Sequence, residues 1–237
     1  DRPVVVDQEL SLTDINEDTA APVQGSTDNA TLVSTLMTGM SDVDDENISG
    51  VAITSSNVMD GTLWYSLDGG DNWLNVGNST LSDNNALLLD ADDHLYWQPE
   101  ANTFGDITDV ITVKAWQRGG DGSAPEGGDT GVVTTSNSDA NGYFSVSSDA
   151  VTVSVSAVND APTLSQTDYA LTPTTEQFAR EIPVLNLMTS LGYADTENSD
   201  GGVAVTGVSG NGTWEYSTDT GNAWHGVGEV ASSAAVL

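Results

Sequence analysis

The chain has 237 residues and sets 36 Asp and Glu against 4 Lys and Arg, for a formal charge of -32, with no cysteine. That length holds one large domain or two of ordinary size. No apolar run approaches the ~20 residues of a membrane helix, no basic patch is present to meet phosphates, and neither disulfides nor thiolate metal sites can hold the fold; nucleic acid and a membrane span are excluded as expectations.

In chain order, the stretch 32–40 reads as a short helical turn ahead of the acidic cluster at 44–47. Residues 111–116 alternate with period two, as a half-buried strand does. The stretch 117–149 is rich in Gly, Ser, Asp and Asn and reads as a long excursion with a small hairpin at 142–146. Residues 151–158 alternate Val with Thr and Ser, the clearest strand signal in the chain. A second helical turn is predicted at 184–191 and a further strand at 203–208. Many strands punctuated by turn residues, with little helix, indicate an all-β fold of the sandwich kind.

The chain also repeats itself. Residues 61–77 return at 212–228 with nine of seventeen positions identical, an offset of 151. Leu36-Met37-Thr38 answers Leu187-Met188-Thr189, and Asp1-Arg2-Pro3 answers Asp160-Ala161-Pro162. One unit therefore spans 1–159. A second spans 160–237 and corresponds to the N-terminal half of the first. Half a sandwich leaves strands unpaired and an apolar face open, so its completion is expected from another chain, from further polypeptide, or from beyond an inserted domain.

Within the repeat, Ser66-Leu-Asp68-Gly-Gly70-Asp-Asn-Trp73 and Ser217-Thr-Asp219-Thr-Gly221-Asn-Ala-Trp224 both fit Ser-x-Asp-x-Gly-x-x-Trp. This resembles the Asp-box, a structural hairpin in which a carboxylate accepts backbone N–H bonds, Gly takes a positive φ and Trp covers the turn. Propeller blades repeat every ~40–50 residues, so a spacing of 151 speaks against a propeller.

The junction Val155-Ser-Ala-Val-Asn159-Asp160-Ala161-Pro162, the turn Asn16-Glu17-Asp18-Thr19, and the segment from Asp90 through Pro99-Glu-Ala-Asn102-Thr-Phe-Gly105 occur in order. Together they resemble the cadherin-like, immunoglobulin-like tandem repeats of large RTX-type bacterial adhesins. The resemblance covers nearly the whole chain. It implies a β-sandwich in tandem with an incomplete copy, located outside the cell at a bacterial surface and serving cell adhesion or biofilm formation. It further implies Ca2+ at the joint between repeats. Carried over by position, the ligands are Glu17 from the first unit, Asn159 and Asp160 from the linker, and Asp195 and Glu197 from the second unit. Oxygen donors from several segments are what a hard, 6–8 coordinate cation needs, and bound cations would offset the self-repulsion of so acidic a chain. A saline habitat is the other reading of that acidity. Thr196 where the first unit has Asp45 makes the second acidic cluster poorer.

No catalytic constellation stands out. His94 and His225 lack a serine elbow and read as surface residues, and paired carboxylates carry no information where Asp is so abundant. The chain is expected not to be an enzyme. Partners are neighbouring repeats of the same polypeptide. The alternatives are a carbohydrate- or cell-surface-binding module, meeting host or biofilm glycans through exposed Trp, and a split domain flanking an inserted ligand-binding domain. Trp64, whose counterpart is Glu215, is the indole expected to face solvent.

Overall fold

A computed structural model describes residues 2–43, 48–57, 59–77, 81–118, 142–176 and 178–237. The chain divides into two compact units, Asp1–Val158 and Asn159–Leu237. No helix among the described residues is long and apolar enough to cross a membrane.

In the first unit the strands are β1 (Val4–Val5), β2 (Leu10–Ser11), β3 (Ile15–Asn16), β4 (Thr31–Leu32), β5 (Met40–Ser41), β6 (Gly50–Ser56), β7 (Gly61–Ser66), β8 (Leu74–Asn75), β9 (Leu87–Asp90), β10 (His94–Pro99), β11 (Gly105–Trp116) and β12 (Asp149–Ser156). A 3-10 turn at Val33–Met37 occupies the predicted helical stretch. One sheet has the order β4-β10-β7-β8; the other has β2-β12-β11-β6-β9, with β3 also on β12. The two form an all-β sandwich.

Period two explains the packing. Along β12, Val151, Val153 and Val155 are buried while Thr152 and Ser154 are half-buried. They join Leu10, Ile53, Leu63, Trp97 and Ile111 between the sheets, each fully buried side chain stabilising by ~1.5–3 kcal/mol. Leu87-Leu88-Leu89 breaks the alternation because both faces of β9 are covered. Leu87 and Leu89 enter the main core, while Leu88 joins Ala52, Ala86, Trp116 and Phe144 in a second cluster.

That second cluster corrects one expectation. Residues 142–146 do not fold into a hairpin of their own. Phe144 bridges Trp116, the Gln117 N–H donates to the Tyr143 carbonyl at 3.0 Å and the Ser145 N–H donates to the Ala115 carbonyl at 3.0 Å. The segment prolongs the ladder at the end of β11, where a fully buried Phe144 gains more than a free turn could. The rest of the excursion, 119–141, lies outside the described residues, as does the acidic cluster 44–47.

The second unit carries β13 (Thr163–Leu164), helix α1 (Val184–Leu191), β14 (Tyr193–Ala194), β15 (Glu215–Tyr216) and β16 (His225–Gly226). Helix α1 ends at Gly192, whose φ of 64° is left-handed and whose N–H returns to the Met188 and Thr189 carbonyls, the usual glycine stop. Its pairings recur at repeat-equivalent positions of the first unit. Glu215 lies opposite Gly226 and Tyr216 opposite His225, as Trp64 lies opposite Asn75 and Tyr65 opposite Leu74. The predicted strand at 203–208 is reduced to a single bridge, Val205 with Val236. Its counterpart β6 is held on both sides, by β11 and β9. Within the second unit nothing described takes the place of β11.

Candidate metal site

Glu17 follows β3, which runs parallel to β12 with Ile15 opposite Val155 and Asn16 opposite Ser156. That register sets the Glu17 N–H on the Ser156 carbonyl at 3.0 Å and turns the side chain onto the strand's exit. Its Oε1 accepts the Val158 N–H at 2.7 Å. The residue is 1 % exposed, and Oε2 is buried with no hydrogen-bond partner. Burying carboxylate oxygen without a partner is costly, so this atom marks a place where a ligand would repay the burial.

The next residue ties in a second motif. Asp18 and Asn102 both hold left-handed backbone, φ 59° and 57°, a conformation Asp and Asn tolerate better than most residues. The Asp18 carboxylate accepts the Asn102 N–H at 3.3 Å. The Asn-Glu-Asp-Thr turn and the Pro-x-x-Asn-x-x-Gly turn thus meet at one end of the first unit. Sequence reasoning singled out both motifs but gave no sign that they touch, since the two residues are 84 positions apart.

In the second unit the four remaining residues are arranged as follows. Glu197 Oε2 accepts the Asp160 N–H at 3.0 Å, while its Oε1 is buried without a partner. Asp195 Oδ1 accepts the Asn198 N–H at 2.8 Å, with the Tyr193 hydroxyl 3.5 Å from Oδ2. The exposed Asn159 donates its side-chain amide to the Asp160 carbonyl at 2.9 Å. Antiparallel pairing of Thr163 with Ala194 and Leu164 with Tyr193 brings the 195–197 turn beside the unit's first residues.

Two glutamates therefore share one design: one oxygen is anchored on a backbone N–H, and the other is buried and unpartnered. Each donor set fits a hard cation in chemistry. Among the described residues no three Asp, Glu or His side chains are gathered into one ready-made cation cluster, so carbonyl or water oxygen would have to complete either set.

A different acidic group has its cation supplied by the chain. In the β9–β10 turn Asp93 is 5 % exposed, and its Oδ2 accepts the Asp90 N–H at 2.7 Å. Burial, together with the neighbouring Asp90 and Asp92 charges, raises its pKa to about 6 against the pull of that N–H and of Arg118. Arg118 pairs with Asp90 at 2.6 Å and lies 5.4 Å from the Trp116 ring centre.

Both Asp-box segments form the same turn. The Ser66 hydroxyl donates to Asp68 at 2.9 Å and accepts the Gly70 N–H at 2.9 Å; for Ser217, Asp219 and Gly221 the values are 2.7 and 2.9 Å. Hydrogen bonds lower the pKa of each box aspartate, chiefly from the Asn72 side chain at Asp68 and from the Ala223 backbone at Asp219.

Two aromatic expectations change. Trp64 is not an exposed indole: it is half-buried against the core, and its Nε1 donates to Gln98 Oε1 at 3.1 Å. The exchange of Trp64 for Glu215 across the repeat therefore does not mark solvent exposure in the first unit. His94 is half-buried in β10 with Nδ1 shielded from solvent, and only His225 is exposed, tilted against Tyr216 at 5.6 Å. Comparison with protein-family models, with curated proteins and with solved structures finds no match.

Proposed function

We propose that this chain is a calcium-stiffened structural repeat, an extender segment of a secreted bacterial cell-surface adhesin that supports cell adhesion or biofilm formation. Supporting this reading is the resemblance to cadherin-like repeats together with one structural observation: Glu17 and Glu197 each bury an oxygen without a hydrogen-bond partner among the described residues. In each unit the other oxygen is anchored on the linker-proximal backbone, at Val158 or Asp160. Calcium supplies positive charge and a flexible oxygen coordination shell. Glu17 in the first unit, and Asn159, Asp160, Asp195 and Glu197 in the second, are the residues proposed to hold it.

The function is mechanical. A cation bound only by folded units stabilises them by mass action, and successive stiffened units would carry a binding domain away from the cell. Extracellular calcium modules bind with dissociation constants of about 0.1–1 mM, so millimolar calcium would fill such a site.

The test is thermal unfolding of the chain at fixed ionic strength, in 10 mM calcium, in matched magnesium and in chelator. At roughly 100 times the dissociation constant the gain is about 2.7 kcal/mol, or a rise of about 5–10 °C for a chain of this size. A rise of that order in calcium alone supports the reading. Coincident curves refute it and leave the acids as a solvated surface.

A further inference from the structure

Glu17 sits in the turn that leaves β3, and this turn is fastened at several points. The Glu17 N–H reaches the Ser156 carbonyl at 3.0 Å, and the Thr19 hydroxyl donates to the Asn16 carbonyl at 2.5 Å across the turn. One residue on, the Ala20 carbonyl accepts the Tyr96 hydroxyl of β10 at 2.7 Å. Between these ties stands Asp18, exposed and left-handed at φ 59°, whose carboxylate accepts the Asn102 N–H at 3.3 Å.

Asn102 belongs to the turn between β10 and β11, and that turn is chained to the next. The Thr103 N–H donates to the Glu100 carbonyl at 3.1 Å, and the Glu100 N–H donates to the Asp60 carbonyl at 3.0 Å. Asp60 lies in the turn between β6 and β7, where its Oδ2 accepts the Asn57 side-chain amide at 2.7 Å. Three turns, carried by strands of both sheets, thus form one hydrogen-bonded rim, and the Asp18–Asn102 bond joins the Glu17 turn to the other two. An exposed bond of 3.3 Å adds little to folding by itself, yet both its partners are non-glycine residues held at positive φ. Such residues persist where the surroundings over-determine them, and ligand clamps are among those places.

We infer that Asp18 is a positioning residue of the Glu17 cation site: through the Asn102 N–H it locks the turn 16–19 onto the β10–β11 turn, and so fixes the buried, unpartnered Oε2 of its neighbour. A ligating carboxylate needs hydrogen-bonded support to stay aimed, and loss of such support weakens metal binding by about 10–100-fold. Oε1 of Glu17 has its support on the Val158 N–H; the backbone that carries the side chain has Asp18. The carboxylate of Asp18 acts on Glu17 through the turn, not by holding the cation. This inference rests on the calcium reading and adds to it the residue that keeps the ligand in aim.

The experiment titrates calcium into the full chain by calorimetry, with amide hydrogen exchange as a second readout, for the parent, Glu17→Gln, Asp18→Gly and Asp18→Asn. Glycine adopts φ 59° without strain and deletes only the carboxylate. Asparagine keeps the left-handed turn and an oxygen for the Asn102 N–H, and removes only the charge. The calcium step that Glu17→Gln abolishes is the Glu17 site. Asp18→Gly should weaken that step at least about tenfold and Asp18→Asn by less than about threefold. Calcium should slow exchange of the Asn102 amide in the parent and in Asp18→Asn, but not in Asp18→Gly. If Asp18→Gly fails to fold, Asp18→Asn decides the matter by its affinity and its Asn102 exchange. Two results overturn the inference alone: a lower melting temperature of Asp18→Gly in chelator with unchanged calcium affinity, which is a purely structural role, or equal weakening by Gly and Asn, which makes the charge and not the bond what calcium uses. Absence of any calcium step that Glu17→Gln removes overturns the calcium reading itself and the inference with it, so the two failures are told apart.

Discussion

Replacing Glu17 with Gln separates a structural cap from a cation ligand, because the two roles predict opposite responses to calcium. The side chain is 1 % exposed. Oε1 accepts the Val158 N–H at 2.7 Å, and Gln keeps an oxygen able to accept that bond. What Gln removes is the charge, together with the second oxygen that the fold buries without a partner. An unsatisfied buried polar group costs ~1–3 kcal/mol and more when charged. In chelator, Glu17→Gln should therefore be at least as stable as the parent, and up to ~2 kcal/mol more so. In 10 mM calcium the order should invert, since the parent gains about 2.7 kcal/mol from a site filled at 100 times its dissociation constant and the variant loses most of that gain. Read as melting temperature, the variant should lie ~0–8 °C above the parent in chelator and, once that advantage is set against the parent's calcium gain, ~1–10 °C below it in calcium, at 2–4 °C per kcal/mol. Differential scanning calorimetry of both proteins in both buffers is the assay. If Glu17→Gln lowers the melting temperature equally with and without calcium, the glutamate is only a cap for the Val158 N–H and the cation argument fails.

Asp93 sets a pH dependence. Its folded pKa, about 6, lies above the ordinary 3.8, so the folded state holds the proton more tightly; the associated stability is complete below pH ~3.8 and is lost as pH rises through about 6. Asp93→Asn should remove that slope and stabilise the chain at pH 7 by on the order of 1–2 kcal/mol, a value discounted for solvent near the turn; denaturant melts at pH 4.5 and 7 measure it, and a variant parallel to the parent would refute it. Gly61→Ala should destabilise the first unit by ~1–3 kcal/mol or more, because its Cβ meets the Trp97 ring and backbone oxygen. Gly212→Ala, with nothing within 4 Å, should change stability by less than ~0.5 kcal/mol, and equal effects of the two in thermal melts would contradict the geometry. Phe144→Ala empties the cluster over Ala52, Leu88 and Trp116 and should cost ~3–5 kcal/mol; a smaller loss in denaturant unfolding would mean that the segment contributes little to holding β11.

Elements that carry their own signal were legible in the sequence. The Val alternation of β12 and the helix closed by Gly192 fall close to where the pattern puts them, because burial of one face and a left-handed stop are local facts. The two-residue strands β2, β3 and β4 were not legible, since each exists only by pairing with β12 or β10 far along the chain. The same dependence, in reverse, reduced 203–208 to one bridge. For the candidate site, motif reading reached Glu17 and Glu197, but the backbone groups that anchor them lie 141 and 37 residues away. Neither Asp93, one acid among 36, nor the meeting of Asp18 with Asn102 had a local signature. The Trp64 inference failed because it read exchange across the repeat as solvent exposure, when the indole packs on the core and donates to Gln98, 34 positions away.

The parallel clip of β2 and β3 on β12 has a consequence for load. Leu10 lies opposite Val151 and Ser11 opposite Thr152, with Ile15 opposite Val155 beyond them; the second and third strands of the unit run beside its last strand in the same direction. Tension applied through the two ends of this unit draws these strands past each other lengthwise. The bonds from the Leu12 N–H to the Thr152 carbonyl, 2.8 Å, and from the Glu17 N–H to the Ser156 carbonyl, 3.0 Å, are then loaded together in shear, where a hairpin pulled at its open end would release its bonds one after another. Rupture requires several to fail at once, so the geometry resists a steady axial pull better than the few bonds in the clip would suggest.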